Sequence, residues 1–198
     1  MIIHTPAMVL PRDEVTKRPP SAPPAMSLRS IRGGVETDLP WTARPTMSGG
    51  VVFSGFEAYE SNLPAAARDY RLVVHPDPRL RPERPAGYPF TVPPDVAAWP
   101  VTIPVALLPG PAYPFLPQIP VLHGSVLRAD HSAVAETEVA VLLDTGDVTA
   151  RGLTDERGRF SVGVPRRRAG RNLTLRAAGL QQAVTDDDFQ RPVNLLIP

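Results

Sequence analysis

The sequence predicts an all-β chain of two β-sandwich domains, the first irregular and Pro-rich, the second regular. Three observations carry this. Of 26 prolines, 23 fall in residues 1–120, and only Pro165, Pro192 and Pro198 follow. Apolar, β-branched segments of strand length recur along the chain, and in the second half they repeat at roughly 8–12 residues with turn signals between them. The third is the run Leu153-Thr154-Asp155-Glu156-Arg157-Gly158-Arg159-Phe160-Ser161-Val162, which reads as strand, tight turn, strand. Asp155 can turn its carboxylate onto the amides of the turn, and Gly158 supplies the positive φ that closes it. Phe160, Val162 and Val164 then share one face, with Arg159, Ser161 and Gly163 on the other. Asp155, Gly158 and Phe160 are thus expected to define a structural hairpin.

Taken in order, residues 1–26 are expected to form an extended N-terminal arm. Met1 to Leu10 is apolar but interrupted by His4 and Pro6, and residues 16–26 offer no side chains for a core. Residues 27–120 form the first sandwich. Its strand-sized pieces are Gly50–Phe53, Tyr70–Val74, Pro89–Val92 and Val101–Leu107. Proline removes a ladder donor, so these strands should be edges or be bounded by prolines. Leu63 to Arg68 is the one hint of a helical turn, and Pro109 to Pro120 should run extended and polyproline-like. The second sandwich, residues 121–198, should carry strands at Val121–Leu127, Thr137–Asp144, Val148–Thr154, Gly158–Val164, Arg171–Ala178, Leu180–Thr185 and Pro192–Ile197, a spacing that favours a sandwich or barrel.

Composition narrows the function. The chain has no Cys, which excludes disulfides, thiolate metal sites and Cys nucleophiles. With 21 basic and 20 acidic residues the net charge is +1, so no broad field draws the chain to nucleic acid or anionic lipid. Lys17 is the sole lysine, in a Pro-rich stretch, which disfavours lysine-based catalysis and a Lys–Asn isopeptide bond. No run of about 18 apolar residues suggests a membrane span. No secretory signal pattern is read at the start, so synthesis is expected in the cytoplasm.

The search for chemistry leaves little. His4, His75, His123 and His131 share no ligand spacing, and His123 reads as a sandwich histidine. Asp186-Asp187-Asp188, with Asp144, Asp147 and Asp155, could hold a hard cation, but the ligand pattern with a distal Glu is absent, which favours a solvated turn. No G-x-S-x-G elbow or G-x-G-x-x-G loop occurs. Glu136 and Glu138 read as the outward face of a strand whose Val139, Val141 and Leu143 point inward. The expectation is therefore no catalytic residue, no cofactor, no metal and no enzyme activity. Partner contacts are expected instead at Tyr88, Phe90, Trp99, Tyr113 and Phe115, where rigid aromatic–proline segments lose little entropy on docking. An equal alternative is that they seal the domain's own surfaces. Arg166, Arg167 and Arg168 form the one dense basic patch. It could grip an acidic partner, although a solvated turn is the simpler reading.

Residues 121–198 resemble the carboxypeptidase regulatory-like domain, a transthyretin-like β-sandwich. The resemblance rests on His123-Gly124-Ser125-Val126, on Thr137-Glu138-Val139-Ala140-Val141, and on the T-D-x-x-G-x-F element spanning Thr154 to Phe160. It implies a fold and no particular activity. Arg71-Leu72-Val73-Val74-His75-Pro76-Asp77-Pro78 and Val105-Ala106-Leu107-Leu108-Pro109, with the Pro-rich bridge that follows, resemble the partner region of accessory structural proteins of phage tails and contractile injection systems. This implies a structural subunit that meets other protein subunits of a large particle, binds no nucleic acid, and docks by its Pro-rich edges and arm through strand addition. A carbohydrate- or cell-surface-binding module, or an accessory domain of a peptidase system, is the alternative.

Overall fold

The computed structural model describes residues 5–56, 60, 66–164 and 172–198, and almost all of its regular structure is β. Its strands are β1 (Ala7–Asp13), β2 (Met26–Arg32), β3 (Val35–Leu39), β4 (Ala43–Pro45), β5 (Val51–Phe53), β6 (Arg68–Val74), β7 (Leu80–Pro82), β8 (Tyr88–Val92), β9 (Val101–Pro109), β10 (Val121–Arg128), β11 (Glu138–Leu143), β12 (Val148–Leu153), β13 (Arg159–Gly163), β14 (Leu173–Ala177), β15 (Leu180–Val184) and β16 (Val193–Ile197). The chain divides into two compact units, Met1–Pro76 with Pro82–Leu107, and Asp77–Arg81 with Leu108–Pro198. The division thus falls after Leu107, ahead of the proline boundary at Pro120, and the short segment Asp77–Arg81 joins the second unit. There Gly110 and Ala112 donate their amides to the Arg79 and Pro78 carbonyls at 2.9 Å each.

The first unit holds the strands β4-β5-β1-β9 of one sheet and a four-stranded sheet ordered β3-β2-β6-β8. Residues 7–13, expected in an arm, form an interior strand: β1 pairs parallel with β9 from Ala7↔Val101 to Asp13↔Leu107, and antiparallel with β5 at Val9↔Val51. Alternation explains it, because Ala7, Val9, Pro11 and Asp13 face inward and Met8, Leu10 and Arg12 outward. Asp13 disguises the pattern locally. It is buried because its Oδ1 accepts the Val15 and Thr16 amides at 2.7 and 3.2 Å.

The prolines inside these strands are not confined to edge strands, a departure from the expectation. Pro11 sits opposite the end of β5, and Pro104 lies beyond the last amide from the β7 side, Glu83 N–H to Ala106 C=O at 3.0 Å. Both occupy interior strands where the flanking strand has already ended, so no ladder bond is lost. Val9, Leu28, Leu72, Val92 and Leu107 are fully buried, and Phe56 meets Tyr70 edge-on at 5.1 Å. Buried Glu60 accepts the Tyr70 hydroxyl and pairs with Arg68 Nη1 at 2.6 Å. Of the helical hint at Leu63–Arg68, residues 63–65 lie outside the described residues, and Arg68 opens β6.

The second unit packs a three-stranded sheet, β13-β10-β16, on a four-stranded sheet, β12-β11-β14-β15. All seven expected strands form there, with ends shifted by a residue or two. Leu122, Val126, Val139, Val141, Phe160, Val162, Leu175 and Leu195 make the core between the sheets. The expected hairpin needs correction. The turn forms, with Gly158 at φ +72° and its amide on the Asp155 carbonyl at 2.9 Å. Yet the strands on either side do not pair with each other, since β12 pairs with β11 and β13 with β10. The turn is a corner that carries the chain from one sheet to the other.

Asp155 holds that corner. Its Oδ1 accepts the Arg157 and Arg159 amides at 2.9 and 2.8 Å, and its Oδ2 accepts Arg159 Nη2 at 2.7 Å. Burial by itself pushes this carboxyl up, but the Arg159 guanidinium and the two amides outweigh burial and hold it below the usual carboxylate range. A lowered folded-state value adds stability above the unfolded-state value near about 4 and loses it as pH falls through the folded one. The expected outcome is that acid narrows the stability gap between the parent and Asp155→Asn, read as melting temperature against pH. A gap that stays constant to low pH would remove Asp155 from the corner's energetics.

Candidate interaction surface

A Ser–His pair in the second unit, His123 with Ser161, is built to hold structure. Ser161 lies on the outward side of β13 yet is only 2% exposed. Its hydroxyl donates to the Pro111 carbonyl at 2.9 Å, and His123 Nδ1 lies 2.8 Å from the same oxygen. Ser161 has one proton and spends it on Pro111, so His123 donates from Nδ1. A histidine that donates to a serine cannot accept its proton, which is the reverse of the arrangement a nucleophilic serine needs.

The acidic candidates are likewise occupied by turns. Asp188 Oδ2 accepts the Thr185 amide and hydroxyl at 2.7 and 2.8 Å, and Asp147 Oδ2 accepts the Thr145 hydroxyl at 2.8 Å. Among the described residues, no three His, Asp or Glu side chains are grouped to hold a metal ion. Among the same residues, no helix is long and apolar enough to cross a membrane.

The aromatic candidates divide. Tyr88, expected at a partner surface, belongs instead to the core of the first unit. It is 5% exposed, and its hydroxyl reaches the Ala106 carbonyl at 3.5 Å. The strand alternation that turns Pro89 outward necessarily turns Tyr88 inward. Phe90 is half-buried and stacks on Tyr70 at 5.6 Å, and half-buried Trp99 donates its Nε1–H to Pro93 at 3.0 Å. Tyr113 and Phe115 are half-buried rings 4.6 Å apart. Phe115 covers the outer side of β13, where a Cβ on Gly163 would stand 2.5 Å from its ring. The Pro-rich bridge therefore seals this face, which is the alternative weighed for these segments. Arg166, Arg167 and Arg168 lie outside the described residues.

Two surfaces were not singled out from the sequence. The first is a groove of about 500 Å³ in the first unit, on the outer face of the β4-β5-β1-β9 sheet along β1 and β9. Leu10, Pro104 and Ala106 give it an apolar floor. Glu14 and Lys17, paired at 2.6 Å, line it together with Ser48 and Gly49. Leu10 is 39% exposed although strand-bound. Arg12 projects beside it with no ion-pair partner among the described residues. The signal was the alternation of Met8, Leu10 and Arg12 against Thr102, Pro104 and Ala106. It becomes legible only once β1 is known to be a strand.

The second surface is the sheet edge at β15. Most other edges are blunted: β3 carries Glu36 and Asp38, β4 ends in Pro45, β7 holds Arg81 and Pro82, β8 holds Pro89, and β12 and β13 hold Arg151 and Arg159, whereas β16 is uncharged like β15. The strand Leu180-Gln181-Gln182-Ala183-Val184 has neither proline nor charge.

No protein-family model matches the chain, and no curated protein matches it. Among solved structures it is similar to the Bacillus anthracis TIE protein, with TM-score 0.32 and 9% identity, over 96% of this chain and 33% of that one. It is also similar to a streptococcal ancillary pilin, with TM-score 0.31 and 12% identity, over 96% of this chain and 60% of that one. A candidate adhesin from Bacteroides ovatus overlaps 90% of this chain and 76% of its own length, with TM-score 0.32 and 8% identity. The chain thus spans about a third of the Bacillus protein and 60% of the pilin.

Proposed function

We propose that this chain is a non-catalytic interaction subunit of a larger protein assembly, and that it docks through the β1/β9 groove. The exposed apolar floor of Leu10, Pro104 and Ala106, beside an Arg12 that has no ion-pair partner among the described residues, carries this reading. Its occupant is an extended segment of a partner protein with apolar side chains and a carboxylate for Arg12, since apolar contact gives affinity and the buried charge pair gives register. The finer reading places the assembly in a phage tail or contractile injection particle, with a carboxypeptidase regulatory-like second unit. What supports it is the resemblance of Arg71–Pro78 and of the Thr154–Phe160 element set out above.

Because the chain has no Cys, Leu10→Cys offers a single thiol for a photo-crosslinker. The expected result in host lysate is a covalent adduct with one protein, in a gradient fraction far heavier than 21.4 kDa, lost when Arg12→Glu is added. Migration of the chain alone near 21.4 kDa, with no adduct, would overturn the assembly reading. Specific binding on a glycan array would then move the function to carbohydrate recognition.

A further inference from the structure

We propose that two copies of this chain pair through β15, antiparallel and centred on Gln182. This goes beyond the groove reading and uses a different unit of the molecule.

The ladder phase sets the geometry. β14 and β15 are joined by the two-residue turn Ala178–Gly179, with φ +47° and +84°, and Ala177 faces Leu180 across it. The pair closing such a turn is hydrogen-bonded, and bonded pairs alternate from there. Leu180, Gln182 and Val184 therefore spend their N–H and C=O groups on Ala177, Leu175 and Leu173. Gln181 and Ala183 aim theirs outward, and no described residue bonds them. The next outward amide, Thr185, is already taken by Asp188 Oδ2 at 2.7 Å. The open template is thus bounded at both ends and holds two donors and two acceptors.

A second copy satisfies this template without a register conflict. About a two-fold axis at Gln182, Gln181 faces Ala183 of the second copy and Ala183 faces its Gln181. Both are the outward-directed residues, so each pair exchanges two hydrogen bonds. Gln182 then faces Gln182 as a non-bonded pair whose side-chain amides can bond each other. Leu180 faces Val184. Both are half-buried against the core of the second unit, so pairing continues the apolar layer across the axis. The neutral strand brings no like charges together, whereas self-pairing at β3 would crowd Glu36 and Asp38. The interface is isologous and closes at two copies.

The test uses cysteine scanning in the Cys-free full chain. A non-bonded antiparallel pair sets Cα atoms about 4.5 Å apart, within disulfide range. Gln182→Cys is expected to oxidise to a covalent dimer, whereas Gln181→Cys, which faces Ala183, is not. The parent should sediment at twice 21.4 kDa at high concentration. Ala183→Pro removes an outward N–H while sparing the β14 ladder, and should return the chain to monomer with its melting profile intact. A monomeric parent at every concentration, or equal crosslinking at positions 181 and 182, would overturn the proposal. Neither result bears on the groove, which Leu10→Cys reads separately.

Discussion

Phe160→Asp is expected to abolish the cooperative melting of the second unit. Phe160 is 1% exposed and sits among Leu122, Val126, Val139 and Val193 between the two sheets. Truncating a buried phenylalanine costs about 3–5 kcal/mol. A carboxylate there adds a desolvation cost, because the cluster it would enter is made of apolar side chains. Against a typical domain stability of about 5–15 kcal/mol, the sum leaves no stable fold. Limited proteolysis with mass spectrometry should show cleavage spread through Leu108–Pro198, with Phe160→Leu largely protected. A variant that melts like its parent would show that Phe160 is not in the core, and the corner assignment would fall with it.

Gly124→Val is the second large effect. Gly124 lies on β10 between β13 and β16, opposite Phe160 and Val193. A Cβ there would stand 2.0 Å from the Val193 carbonyl oxygen and 2.8 Å from the Phe160 ring. Neither can yield cheaply, since one is backbone in a parallel ladder and the other fills the core. Overpacking commonly costs about 1–3 kcal/mol, and a clash with backbone belongs at or above the upper end. The comparison is the next residue. Ser125 faces outward and bonds Asn194 Oδ1 at 2.7 Å, so Ser125→Ala should cost no more than about 1 kcal/mol. Denaturant midpoints of the two variants decide it. Equal midpoints would mean that β16 does not pass beside Gly124.

The pair of substitutions bears on how the Thr154–Phe160 element works. Asp155 and Gly158 make a local turn, and their roles were legible because both partners lie within four residues. Which strand β13 would join was not, because it depends on Leu122↔Val162 and Gly124↔Phe160, contacts made across about forty residues of chain. The corner, like the groove and the β15 edge, is a product of long-range pairing.

Regular alternation made the second unit's strands readable, since Val139, Val141, Leu173 and Leu175 repeat at the strand period between clear turns. The first unit hid more. β1 carries Pro11 and a buried Asp13, which look like loop residues until Val15 and Thr16 satisfy the carboxylate and the end of β5 frees Pro11 from a ladder bond. β2 alternates Met26, Leu28 and Ser30 inward, but Ser30 is polar and Arg29 and Arg32 interrupt the apolar signal.

By itself the sequence determined that the chain is built mainly of β-strands, that seven of them lie among the described residues of 121–198, and that thiol chemistry is closed to it. These follow from local periodicity and composition, which each segment carries without its neighbours. Tertiary structure alone decided that β1 is interior, that Tyr88 is core, that the Ser161 hydroxyl donates to the Pro111 carbonyl, and that β15 is left as an uncharged edge. Each depends on which distant segment lies alongside, and burial and hydrogen-bond satisfaction are properties of that neighbourhood, absent from the residue in isolation.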